Sequence, residues 1–277
     1  MGMFDGCLLA SDIDGTLIFG EKLPEENIKQ IKYFINEGGI FAVCTGRTFV
    51  GSRKIIEGLD FIGPSIFMNG ALIYDCKSKE VLHQTFLPDN AIELALKLTE
   101  EYSDVGILGC ADDKVYLINS NDFAIEHARY ENYSYYPNFE TSYKINKLLF
   151  LVDNSNTVNE VMEHLKTLFA DSLVDLFYSS VTMNGEFRVL IECVPRGINK
   201  AVGIDFLLNK YSIDKENFFA IGDYYNDLPM VKNAGIGAFV EEAPDELKQQ
   251  ADFVSLKAKD GAVAAFIKYL IKIRKGA

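Results

Sequence analysis

The sequence contains no apolar run long enough to cross a bilayer, no paired cysteine spacing, few histidines and a shortage of positive charge. The first absence excludes a membrane-spanning helix, which needs about 20 apolar residues in succession. The amino terminus, Met1-Gly2-Met3-Phe4-Asp5, also lacks a basic stretch followed by an apolar one, so no signal peptide is expected. Five cysteines, Cys7, Cys44, Cys76, Cys110 and Cys193, are scattered in or beside apolar runs without a Cys-x-x-Cys pattern. They read as reduced, buried thiols in a cytoplasmic setting rather than as a disulfide framework. With 27 Lys and Arg against 40 Asp and Glu, the formal net charge is −13, which repels nucleic acid and anionic membranes overall. An anionic substrate must then be captured locally, by a metal, a lysine or backbone amides. His83, His127 and His164 stand far apart and outside any motif, and are expected as surface or hairpin residues rather than ligands.

What is present is a chain of 277 residues, 48% hydrophobic and 24% charged, long enough for a large core and for two domains. Its organising stretch is Cys7-Leu8-Leu9-Ala10 followed by Ser11-Asp12-Ile13-Asp14-Gly15-Thr16-Leu17. A continuous apolar run reads as a strand buried on both faces of a parallel sheet, and this one stops in two carboxylates one residue apart. Such sheets build their sites at the carboxyl ends of their strands. Two carboxylates held close repel each other, so the pattern points to a bound metal, an acid/base pair, or both.

Downstream, Pro24-Glu25-Glu26 opens a helix with Ile28, Ile31 and Ile35 on one face, and Gly38-Gly39 ends it. Ile40 to Cys44 forms a second apolar strand that stops at Thr45-Gly46-Arg47, completing a β-α-β unit with parallel strands. Residues 48–60 read as a helix, Ser65 to Met68 as a strand stopped by Asn69-Gly70, and 71–86 as a hairpin. From Pro88 the order of elements becomes mixed, with strands expected at 105–110, 114–119, 147–152, 174–179 and 187–193 and helices at 91–102, 123–130 and 158–169. This is the grammar of an α+β module with an antiparallel sheet. After the hinge-like Pro195-Arg196-Gly197 the opening pattern returns. Lys200 to Leu208 is a helix, and Phe218-Phe219-Ala220-Ile221-Gly222 is an apolar strand ending at Asp223. Asp260-Gly261 is expected to cap an amphipathic helix through Ile273, whose Lys268, Lys272, Arg274 and Lys275 read as a solvated face.

In this order, Asp12-Ile13-Asp14-Gly15-Thr16-Leu17, Thr45-Gly46-Arg47, Lys200 and Gly222-Asp223-Tyr224-Tyr225-Asn226-Asp227 resemble the four motifs of the haloacid dehalogenase superfamily. The Met68-Asn69-Gly70-Ala71 turn and the large insertion resemble its Cof-type phosphatases with a type IIB cap. The resemblance implies a Rossmann-like α/β core at 1–86 and 195–277, with an inserted α+β cap at 87–194. It further implies a Mg2+-dependent phosphatase of small phosphorylated metabolites, such as sugar phosphates, that passes through an aspartyl-phosphate. Asp12 would be the nucleophile, and Asp14 would protonate the leaving oxygen and then activate water. Mg2+ would be held by the Asp12 carboxylate, the Asp14 carbonyl and Asp223. Phosphate would be held by the Ile13 amide, Thr45, Gly46, Lys200 and Asn226, with Asp227 steadying the metal waters or Lys200.

Two positions depart from that family's pattern. Tyr224 and Tyr225 stand where small or polar residues are usual, and Ala201 follows Lys200 where Gly is frequent. The cap carries no matching motif; Met183, Asn184, Glu186 and Arg188, near the return hinge, are candidates for selectivity. Tyr130, Tyr133, Tyr135 and Tyr136 could stack on a ring-bearing substrate or simply pack. Two other functions share parts of the pattern. A sugar phosphomutase keeps Asp12 and Asp14 but passes the phosphoryl group to a sugar, and a non-catalytic phospho-acceptor module would hold it on Asp12.

Overall fold

The computed structural model describes residues 2–59, 62–111, 114–131, 134–153, 157–183 and 185–276; Tyr133 and Asn184 lie outside the described residues. The chain divides into two compact units. One comprises Met1–Gly46, Lys54–His83 and Asn199–Ala277, the other Arg47–Arg53 and Gln84–Ile198.

The first unit is built on a five-stranded parallel sheet. Leu8–Ser11 lies at register between Phe218–Gly222 on one side and Ile40–Val43 on the other, and Ile236–Phe239 and Phe253–Val254 extend the sheet beyond Phe218–Gly222. Cys7, Leu8, Leu9 and Ala10 are all solvent-inaccessible, as are Phe218, Ala220 and Ile221. Unbroken burial, rather than alternation, is what parallel strands covered on both faces require. Helices Glu25–Asn36, Lys200–Tyr211, Leu228–Asn233 and Ala262–Arg274 belong to this unit. Pro64–Phe67 continues the pattern through a parallel bridge from Cys44 to Ile66, then pairs antiparallel with Leu72–Asp75.

The carboxy-terminal helix departs from expectation in two respects. Its N-cap is Gly261, in the left-handed region, and no side chain of its own caps it. The third N–H of the helix, that of Ala264, instead donates to Asn27 Oδ1 at 2.9 Å, while Asn27 Nδ2 donates to the Leu17 carbonyl at 2.9 Å. Asn27, fully buried, thus ties the segment after the first strand to the last helix. Arg274 is exposed, as a solvated face requires, but it is not held by solvent alone: it donates to Met3 O and Asn217 Oδ1 and lies over the rings of Phe4 and Phe219. Its aliphatic stem and planar head allow this packing, which a lysine could not reproduce.

The second unit carries a six-stranded sheet in the order Val174–Met183, Glu186–Pro195, Lys147–Leu151, Gly106–Cys110, Val115–Asn119, Tyr135–Tyr136, antiparallel except for the last pair. Tyr135 and Tyr136 therefore form a short edge strand, and both are exposed. Helices Ala91–Leu98 and Val158–Leu168 pack on one face through a cluster that includes Ile92, Leu98, Ile107, Phe150, Val161 and Leu165. The hairpin Val174–Met183 and Glu186–Pro195 is ten residues per strand, longer than its apolar stretches indicate. Arg47 joins this unit by an ion pair to Glu131 at 3.1 Å.

His127 is the histidine that differs from expectation. It is 6% exposed on helix Asp122–Tyr130, and burial, together with Lys147 and Arg47, pushes it down to about 4. Arg188 faces Glu126, Asp153 and Glu186 and covers the Phe123 ring, so its charge is committed inside this unit. Met183 is buried and Glu186 exposed. All five cysteines are free thiols, four of them buried.

Candidate active site

Three strand ends meet at one edge of the parallel sheet. Asp12 follows Leu8–Ser11 directly, and its N–H donates to the Ile221 carbonyl at 3.0 Å, which locks it to the strand that ends at Gly222. Thr45 follows the Ile40–Val43 strand, with its N–H on the Ile66 carbonyl at 2.9 Å. Asp223 follows Phe218–Gly222. The equal register of these strands is what brings residues more than 200 positions apart to one edge.

Lys200 begins the helix Lys200–Tyr211 and is 1% exposed. An ammonium at a helix amino terminus is electrostatically unfavourable by itself. Here its Nζ lies 2.5 Å from Asp12 Oδ1 and 2.6 Å from Asp227 Oδ1, so two carboxylates offset the helix dipole and the burial. Burial pushes the ammonium down, but the two carboxylates outweigh it and hold Lys200 charged.

Asp227 is fully buried and does not cap the helix that follows it. Its Oδ2 accepts from the Asp223 N–H at 3.0 Å and the Tyr224 N–H at 3.3 Å. The side chain therefore folds the Asp223–Asp227 loop back on itself and carries the second contact to Lys200. One carboxylate oxygen from each of Asp12, Asp223 and Asp227 lies within 4.8 Å of the others. Asp14 is exposed, and its carboxylate is not in this group. The expected metal ligands are the Asp12 carboxylate, the Asp14 carbonyl and Asp223; of these, the Asp12 and Asp223 carboxylates lie together, and the Asp227 carboxylate lies with them. A main-chain role for Asp14 as ligand is unaffected, since it needs only the carbonyl. Ile13 is buried, Thr45 is 1% exposed, Gly46 is half-buried, and Asn226 is exposed on the turn Tyr225–Asp227. Tyr224 and Tyr225 are exposed and packed edge to face, and the Tyr225 hydroxyl contacts Glu246.

The electrostatics follow from three carboxylates around one ammonium. Burial drives the Asp12 carboxyl well upward, Lys200 opposes it, and Asp227, Asp223 and Asp14 add to the rise. Asp223 is pushed up to about 7, by burial first and the Asp227 charge second. In the metal-free protein the folded state holds the Asp223 proton more tightly than the unfolded chain, which titrates near 3.8. Stability from this group is therefore lost as pH rises from about 4 to about 7. His127 acts oppositely, because its folded pKa lies below its ordinary 6.5. The Asp223 share is read as the difference between wild type and Asp223→Asn. In EDTA the variant should gain Tm relative to wild type from pH 5 to pH 8, and a constant difference would contradict the assignment.

Gly15 has φ +75°, and a Cβ there would stand 2.6 Å from Asp223 Oδ2. The loop after Asp14 consequently packs directly on the second acidic loop, an approach also marked by Thr16 Oγ1 on Asp223 Oδ1 at 3.4 Å. Gly15→Ala should displace that carboxylate and lower kcat by roughly tenfold or more. It should also lower Tm by several degrees through the left-handed strain. Native kinetics in the variant would show that Asp223 does not need its observed place.

Comparison with known proteins decides the family. A family model described as haloacid dehalogenase-like hydrolase matches residues 9–267. The chain belongs to the haloacid dehalogenase-like hydrolases. It is 28% identical over 265 residues to 5-amino-6-(5-phospho-D-ribitylamino)uracil phosphatase YcsE of Bacillus subtilis, across 95% of both chains. Among solved structures it resembles a haloacid dehalogenase-like hydrolase from Bacteroides thetaiotaomicron, with a TM-score of 0.83 at 23% identity over 95% and 99% of the two chains. It also resembles the subclass IIB sugar phosphatase BT4131, with a TM-score of 0.76 at 18% identity over 95% and 98%. This family member is a phosphatase, a phosphoric monoester hydrolase with an α/β core and an additional antiparallel-sheet unit.

Sequence reasoning named Asp12, Asp223, Lys200 and Asp227 one by one. It did not find Asn27, whose polar side chain in an otherwise apolar helix face was the available signal. It also passed over the conformation of Met68 and Asn69, which hold φ values of +50° and +55° beside Thr45.

Proposed function

We propose that the protein hydrolyses phosphate monoesters of small polyhydroxylated metabolites, with Mg2+ as cofactor and Asp12 as nucleophile. The observation that carries this reading is the convergence of the buried Asp12, Lys200 and Asp227 with the half-buried Asp223 at one sheet edge. Three carboxylates to one ammonium leave the cluster short of positive charge, and its donors are hard oxygens, which suits Mg2+. Asp12, Asp223 and the Asp14 carbonyl would hold the ion, which when bound screens the phosphoryl charge and keeps Asp12 ionised. Asp227 is better read as a support: one oxygen already accepts two N–H groups and the other Lys200.

In this reading Lys200, Thr45, Asn226 and the amides of Ile13 and Gly46 bind the phosphoryl oxygens, where charge develops. An Asp12 oxygen bonds to phosphorus as the ester P–O bond breaks, and Asp14 gives its proton to the leaving oxygen, releasing the alcohol. Asp14 then takes a proton from water, whose oxygen bonds to phosphorus as the Asp12–phosphoryl bond breaks. Orthophosphate leaves and both aspartates are restored. The exposure of Asp14 suits a group that must meet both leaving oxygen and water, while the buried Asp12 stays held by Lys200.

The unit containing Gln84–Ile198 would be the inserted cap, read as 87–194 from sequence, and the other unit the core. The substrate class is supported by the relatives, one named for a phosphoribityl compound and another as a sugar phosphatase. A screen of phosphorylated metabolites with and without Mg2+ tests both parts. Highest kcat/KM on polyol or sugar phosphates, lost in EDTA, is the expected result. Undiminished turnover in EDTA would remove the metal from the proposal, and transfer to a second sugar without free phosphate would indicate a mutase.

A further inference from the structure

The turn Met68–Gly70 carries two features that neither the fold nor the reaction above accounts for. Met68, Asn69 and Gly70 have φ values of +50°, +55° and +107°, a left-handed run in which two members have side chains. The carboxamide Oδ1 of Asn69 is buried and has no hydrogen-bond partner among the described residues. Both features lie against the Thr45–Gly46 loop. The Asn69 N–H donates to the Thr45 carbonyl at 3.0 Å. That carbonyl belongs to the planar trans peptide whose other end is the Gly46 N–H, so the bond directs this N–H away from the turn. A Cβ on Gly46 would stand 3.1 Å from Asn69 Oδ1 and 3.2 Å from its Nδ2, with Cγ farther off at 3.5 Å, which shows the polar end of the carboxamide facing the loop.

We propose that Asn69 is a substrate-positioning residue whose carboxamide oxygen accepts a hydrogen bond from a hydroxyl of the phosphorylated substrate. This rests on the phosphatase reading and narrows it to esters with a hydroxyl close to the phosphoryl group. A carboxamide oxygen accepts only, as does an ionised phosphoryl oxygen, so the partner it lacks is a donor that a hydroxylated substrate brings. Leaving a buried acceptor unpaired disfavours the free protein, and binding such a donor relieves the penalty. The left-handed backbone that places the group there is tolerated by Gly, Asn and Asp far better than by other residues. Strain of this kind persists where a site needs it.

Asn69→Gly tests the assignment cleanly, because glycine suits the left-handed conformation and keeps the N–H on Thr45 while removing the carboxamide. The variant should fold with a Tm at or above that of the wild type. Its kcat/KM for a hexose or pentitol phosphate should fall roughly tenfold further than its kcat/KM for an aryl phosphate without hydroxyls. Asn69→Asp keeps an acceptor and tolerates the same backbone. Both of its rates should fall through charge repulsion, with their ratio kept within about threefold of the native ratio. Equal losses on the two esters in Asn69→Gly, no loss on either, or an Asp variant that loses the ratio as Gly does would each overturn the proposal. A wild-type protein that hydrolyses neither ester would overturn the phosphatase reading instead.

Discussion

Asp12→Asn lowers metal-dependent hydrolysis of an aryl phosphate by at least about 10³-fold, because a carboxamide does not attack phosphorus and no second nucleophile replaces it. The substitution is nearly isosteric, and it removes one of three crowded carboxylates whose burial and mutual repulsion drive the Asp12 carboxyl upward. The variant should therefore be as stable as the wild type, or more so, in EDTA at pH 8. Loss of turnover with retained Tm assigns the loss to chemistry. Turnover above about 1% of wild type, measured on protein free of contaminating phosphatase, would place the nucleophile elsewhere.

Lys200→Met gives the largest expected effect on stability. The methionine matches the stem but leaves the Asp12 and Asp227 carboxylates, 2.5 and 2.6 Å from the ammonium in the native protein, without their cation. Removing one partner of a buried ion pair costs about 3–5 kcal/mol. For a chain of this size that corresponds to a Tm lower by roughly 10 °C. The loss should shrink as pH falls, because the Asp12 carboxyl, already driven upward by burial and by its acidic neighbours, takes up a proton and the repulsion falls. It should also shrink with Mg2+, which supplies positive charge to the same cluster. A Tm within about 2 °C of wild type at pH 8 in EDTA would mean that Lys200 is not the counter-ion the geometry indicates. Together the two substitutions separate roles that the ion pair joins: Asp12 reacts, whereas Lys200 makes a buried reactive carboxylate tolerable.

Much of the site was legible because its chemistry sits at abrupt transitions in the chain. Cys7 to Ala10 and Phe218 to Gly222 are unbroken apolar runs that end in Asp12 and Asp223, and a buried parallel strand produces that signature without any alternation. Thr45 ends the second strand by the same logic. The second unit was legible in its order of strands and helices, but less so in its polar interior. His127, one residue in a short amphipathic helix, gives no sign in sequence that Lys147 and Arg47 lie close enough to suppress its charge. The same holds for Arg188, a selectivity candidate by its nearness to the return hinge, whose three carboxylate partners lie on other segments or two residues away.

The amino-acid order alone determined the parallel α/β core, the inserted α+β segment and the identity of the acidic strand ends, since these depend on local burial patterns and residue type. Tertiary structure decided which carboxylates share a cluster. Asp227 enters it and the Asp14 side chain does not, because Asp227 is turned inward by two backbone N–H groups and Lys200. It also decided that Asn27 caps the last helix and that Asn69 presents an unpaired oxygen to the Thr45–Gly46 loop. Those outcomes depend on approaches of about 3 Å between segments distant in the chain, and no local propensity encodes a distance of that kind.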